Sequence, residues 1–199
     1  MNNVTKYHKF VAYMSYADHA RNLKAAIDEI NATRLDETTR IMSDDLALVA
    51  SRVINKGQLS DGSSTGTYSK SVTKAPHYIP DLVRMNFTNP IAKLKDIQKK
   101  HGWFFSYETF RKETGRPTAF KNFSLSGKMW KGIKALITDT TDKSITYIIG
   151  SDDPETQKLI DFNTAQSGRF LDQSDEEKNL ISRLNRQRIF KVLVKHKLA

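Results

Sequence analysis

The stretch that decides the fold opens with Phe123-Ser-Leu-Ser-Gly-Lys-Met-Trp130 and runs to the C-terminus at Ala199. Two short runs follow that opening, Ile133 to Thr138 and Ser144 to Ile149, the second closed by Gly150. Runs rich in β-branched residues and bounded by turn formers predict strands, and Asp139-Thr-Thr-Asp-Lys143 between them predicts the turn of a hairpin. Asp153-Pro154-Glu155 then predicts a helix start, because proline suits the first helical turn and acids favour its positive end. That helix is expected to end near Gln166. After Gly168-Arg169-Phe170-Leu171, Ser174 with Glu177 three residues on has capping-box spacing and predicts the start of a long last helix. Leu180, Leu184, Ile189 and Val192 give that helix an apolar face.

Outward from this stretch, residues 18–56 have a helical pattern. Leu23, Ile27 and Ile30 form one stripe, Leu46, Val49 and Val53 another, and no Pro or Gly interrupts them. The polar middle, Asn31 to Thr39, is expected to break or expose the helix. Gly57 suits its C-cap. Gln58 to Pro80, rich in Ser, Thr and Gly, reads as a loop. A short helix is expected after Pro90, and a helical turn over Glu108 to Thr114. The expected organisation is an N-terminal arm, residues 1–16, then one α+β domain over 17–199 with a loop or insertion at about 58–105. Leu125, Met129, Trp130, Ile148 and Phe170 are expected to share one core. The long helix and the 58–80 loop are expected to touch other chains.

The chain has 199 residues, 38% apolar content, no cysteine and a net charge of +10. The missing cysteines exclude disulfides, thiolate metal sites and a cysteine nucleophile. No apolar run approaches the ~18 residues that cross a bilayer, so no membrane contact is expected. The five histidines, His8, His19, His77, His101 and His196, have no metal-ligand spacing. The adjacent acids Asp44-Asp45 and Asp152-Asp153 do not face one another on a helix or turn. Ser126 lacks the glycine frame of a nucleophile elbow, and the 58–69 loop lacks the Lys-Ser/Thr pair of a phosphate loop. No catalytic, cofactor or metal site is expected.

The positive charge favours an anionic partner, and it is uneven. From Ile181 to Ala199 there are six Lys/Arg residues and no acid: Arg183, Arg186, Arg188, Lys191, Lys195 and Lys197. They are the candidate docking residues, with Tyr68 in the glycine-rich loop and Trp103 in the aromatic run Trp103-Phe104-Phe105. Solvated helix faces show the same charge pattern. Aromatics near Trp103 can stack bases, although core or interface packing is the commoner use.

Several short segments, in their order, resemble the neck and tail-completion proteins of tailed bacteriophages. They are Tyr107-Glu-Thr-Phe110-Arg111 with Gly115-Arg116; Leu125-Ser126-Gly127-Lys128-Met129; Tyr147-Ile-Ile-Gly150; Lys158 to Asn163; Gly168-Arg169-Phe170-Leu171; and Ser174 to Glu177. Upstream, Gly57, Asp61-Gly62 and Tyr68-Ser69 are similar to the group's glycine-rich loop. Residues 70–105 depart from the pattern, and many relatives have proline before the phenylalanine where Arg169 stands. The resemblance implies a small, mostly antiparallel sheet with a long N-terminal helix and a C-terminal helix packed on it. It also implies a homo-oligomeric ring joining head to tail around the DNA channel. Its partners would be the neighbouring connector, portal-side and tail proteins, with DNA in the lumen, and its location the virion, after assembly in the host cytoplasm. The alternative left by the charge alone is a basic nucleic-acid-binding protein.

Overall fold

The computed structural model describes residues 15–124, 127–141 and 144–199. Its architecture is α+β, with a long N-terminal helix, a long C-terminal helix and two separate two-stranded antiparallel sheets. The expected arm therefore lies almost wholly outside the described residues, as does Leu125 of the expected core.

Helix α1 (Tyr16–Ser51) runs unbroken through residues 31–39. Of the two outcomes expected there, a break or an exposed section, the second holds: these residues are largely exposed, and the helix continues because nothing there removes a backbone donor. Thr33 instead returns its hydroxyl to the Glu29 carbonyl at 2.9 Å, the i−4 bond by which a β-branched residue fits a helix. The helix ends in a π-helical turn, Arg52–Lys56, capped by Gly57 in the left-handed region at φ 62°. A Cβ at Gly57 would lie 2.1 Å from the Phe120 ring, so both the conformation and the close approach require glycine.

The described chain divides into two compact units. The larger is residues 39–181. It holds β1 (Val72–Lys74), α2 (Ile79–Arg84), α3 (Pro90–His101), β2 (Phe104–Ser106) and α4 (Tyr107–Glu113). After these come α5 (Lys128–Gly132), β3 (Lys134–Thr140), β4 (Ile145–Gly150), α6 (Pro154–Ser167) and the first turns of α7 (Asp175–Lys195). Strand β3 pairs with β4 from Lys134↔Gly150 to Thr140↔Ile145, with an irregularity between Ile137 and Asp139. Strand β1 pairs with β2 in the register Thr73↔Phe105.

Two hydrophobic clusters hold this unit together. The first gathers Val49, Val53, Leu59, Met129, Ile133, Ile160, Phe170 and Leu171, with Trp130 and Ile149 packed against it. Met129, Trp130 and Phe170 thus share a core as expected, the Trp130 ring standing edge-on to Phe170 at 6.2 Å. Ile148 does not join them. It is 53% exposed, because strand side chains alternate and Ile149 takes the inward position.

Residues 58–71 form no helix or strand, as expected, but the second cluster corrects the loop reading beyond them. Ala75, Tyr78, Leu82, Leu94, Ile97, Phe105 and Phe110 form a core of their own. Tyr78 stacks between Phe105 and Phe110 at 5.1 and 4.7 Å and donates its hydroxyl to the Phe105 carbonyl at 3.1 Å. Pro76, Pro80 and Pro90 do not break this region. Each sits in the first turn of a short helix, where no intrahelical donor is needed.

The smaller unit consists, among described residues, of 15–38 from α1 and 182–199 from α7 and the tail after it.

Candidate interaction surface

Within the smaller unit, α1 and α7 run antiparallel and are bridged by charge. Lys195 Nζ lies 2.9 Å from both carboxylate oxygens of Glu29, and His196 Nε2 lies 2.7 Å from one of them. Arg188 Nε lies 3.4 Å from Glu37 Oε2. The hydrogen bonds from Lys195 and then His196 hold the Glu29 carboxyl below the usual carboxylate range. Both pairs follow from one spacing. Glu29 and Glu37 are eight residues apart, a little over two helical turns, and so are near one side of α1.

This arrangement corrects the sequence reading of six unopposed cations. Arg188 and Lys195 face acids from α1. Arg183, Arg186 and Lys191 are exposed and make no ion pair among the described residues. On a helix, positions 183, 186, 187, 190 and 194 fall on one side. That side carries Arg183, Arg186, Gln187, Phe190 and Val194, with Lys191 at its edge. Phe190 is 56% exposed and Val194 47%. Lys197 lies past the helix end with φ 59°, its amide donating to the Val194 carbonyl. The two faces of α7 therefore differ in kind: one is neutralised by α1, the other is cationic and apolar.

The other two candidates sit in the larger unit. Tyr68 is buried and internal. Its hydroxyl donates to Asn122 Oδ1 at 3.0 Å and accepts from the Asn122 amide at 3.2 Å, and the Arg111 guanidinium lies 4.1 Å from its ring centre. Burial is the main cause pushing its phenol up. Arg111 also donates to the carbonyls of Pro117 and Ser124 and to Asn122 Oδ1. Tyr68 therefore helps hold the 117–124 segment instead of offering a contact to another chain. Trp103 is 54% exposed beside the equally exposed Phe104, whereas Phe105 and Phe110 of the same aromatic run are core.

Sequence reasoning missed a second centre, the buried Arg52. Its Nε donates to Glu177 Oε1 at 2.8 Å, and its remaining donors reach the carbonyls of Gln58, Phe170 and Asp172. Glu177 in turn closes the capping box: its Oε2 accepts from the Ser174 amide at 2.7 Å, and its own amide donates to Ser174 Oγ at 3.2 Å. One planar five-donor group thus joins the end of α1, the 58–66 loop, the Gly168 to Leu171 segment and the start of α7.

Among the described residues no cluster of three or more His, Asp or Glu is arranged to hold a metal ion, and no helix is long and apolar enough to cross a membrane. No family model, no curated protein and no solved structure matches this chain.

Proposed function

We propose that this chain is a structural virion protein of a tailed bacteriophage, one of a ring of copies in the neck that joins head to tail around the DNA channel. Its partners on this reading are further copies of itself and the connector, portal-side and tail proteins above and below. One observation carries the reading beyond the order of short motifs. Three of the segments that bear the resemblance, with Tyr68 of the glycine-rich loop, meet at two buried arginines of the larger unit. Arg52 binds Phe170, Asp172 and the Glu177 of the capping box. Arg111, the last residue of Tyr107-Glu-Thr-Phe110-Arg111, stacks on Tyr68 of the glycine-rich loop. Residues that are scattered in sequence serve one packed unit, as parts of a single ancestral domain would. The exposed stripe residues Leu23 and Ile27 on α1 add surface for neighbours.

The test is a phage particle that carries this chain. Cryo-EM of purified particles is expected to show it as a ring between head and tail, and loss of the gene to leave filled heads and free tails that do not join. Particles that lack the chain yet infect normally would overturn the reading. A second reading, a nucleic-acid-binding protein, is favoured only by the exposed Trp103 and Phe104 and by the free cations of α7. It requires affinity for DNA or RNA that falls steeply with salt, because phosphate contacts release counterions.

A further inference from the structure

The helix pair of the smaller unit hides very little of itself: among its described residues only Ala26 is buried. Two helices with so little core between them leave apolar surface that another surface must cover. On α7 that surface has a definite chemistry. Arg183 and Arg186 occupy the N-terminal half of the outward side, Phe190 and Val194 the C-terminal half, and Lys191 stands at the edge beside Phe190. No Asp or Glu occurs between Ile181 and Ala199, and the two acids that α1 supplies, Glu29 and Glu37, serve the opposite side.

We infer that the outward face of α7 is a docking site for an acidic amphipathic segment of a partner protein, one that carries carboxylates beside a bulky apolar residue. This rests on the reading of the chain as an assembly protein and names the chemistry of its partner. Three arguments select that occupant. Charge complementarity requires an anion, and segregation of charge from apolar surface along one helix side is the pattern a partner helix reads as i, i+3, i+4 and i+7 anchors. A phosphate backbone leaves Phe190 and Val194 in water, since it offers charge without an apolar surface to cover them. The same face of a second copy would set Arg183, Arg186 and Lys191 against their own kind, which is costly.

The purified full chain tests this in fluorescence anisotropy with three labelled probes. They are a 20-residue helical peptide with glutamates and leucines on one side, the same peptide with its leucines changed to serine, and a 20-base-pair DNA duplex. The acidic apolar peptide is expected to bind, and the serine peptide to bind at least about tenfold more weakly, the size of effect that loss of a buried anchor produces. Phe190→Ser is expected to remove that difference, and Arg183→Glu with Arg186→Glu to abolish peptide binding, while circular dichroism stays unchanged because all three side chains are exposed. Equal binding of the two peptides would overturn the inference. So would preferential binding of the duplex that Phe190→Ser leaves unchanged. Neither result depends on a virion, so the docking chemistry can fail while the neck reading stands, and a chain absent from particles can still show it.

Discussion

Arg52 makes four side-chain hydrogen bonds that tie distant segments of the larger unit together. Its partner Glu177 is buried with it, so removing the cation leaves a buried carboxylate whose Oε1 has lost its partner. Arg52→Ala is expected to lower stability by about 3–5 kcal/mol, the usual result of breaking a buried pair from one side. Arg52→Lys is expected to recover only part of this, because an ammonium cannot serve Glu177 and three carbonyls in one plane. Denaturant unfolding of the three proteins checks both statements; a lysine variant as stable as the parent would show that charge alone matters at this position. The two ends of this pair were unequally legible. Ser174 and Glu177 are three apart, and their mutual bonds can be read from spacing. Arg52 and Glu177 are 125 residues apart, and no local pattern says which acid a buried arginine will meet. The same limit explains Tyr68, whose neighbours in sequence are loop formers and whose partners in space are Arg111 and Asn122.

At the scale of elements, local chemistry was legible wherever the element's own residues decide it. The hairpin, α6 and α7 stand close to where turn formers, Asp153-Pro154 and the capping box put them. The second cluster was hidden because Pro76 and Pro80 break the apolar rhythm of Ala75, Tyr78 and Leu82, although both prolines begin helices. The same region holds the clearest pH-sensitive contact. The carboxylate of Glu113, in α4, lies 2.9 Å from both His101 Nε2 and Lys100 Nζ of α3, and these bonds hold its carboxyl down to about 2. A carboxylate whose folded value lies below its unfolded one stabilises the fold above the unfolded value. That contribution is lost as pH falls from the ordinary glutamate range through about 2. Carbon-13 NMR titration of the Glu113 carboxyl is expected to give a midpoint near 2, and one nearer the ordinary range in a His101→Ala variant. A midpoint that does not move in the variant would remove His101 as the cause.

Across the whole molecule the two compact units differ in what they bury, and the sequence does not reveal this, because α1 supplies helical residues to both without an interruption. Residues 39–181 own two clusters; among described residues 15–38 and 182–199 own Ala26. Amides of α7 beyond Ser182 are therefore expected to exchange with deuterium well before those around Val49, Val53 and Phe110, since local opening follows the density of buried contacts. Uniform protection along both long helices in the isolated chain would contradict this. The placement of the two tryptophans, the only ones in the chain, has an optical consequence. Trp130 gives its indole N–H to the Asn122 carbonyl at 3.0 Å against the first cluster, while Trp103 stands open beside the second. The protein thus carries two native fluorophores in contrasting surroundings. Iodide should quench the red-shifted emission of Trp103 and spare Trp130, and a Trp103→Phe variant should leave one blue-shifted band that follows unfolding of the first cluster alone. In an assembled particle, loss of the iodide-sensitive fraction would report, without any label, that a neighbour has covered Trp103.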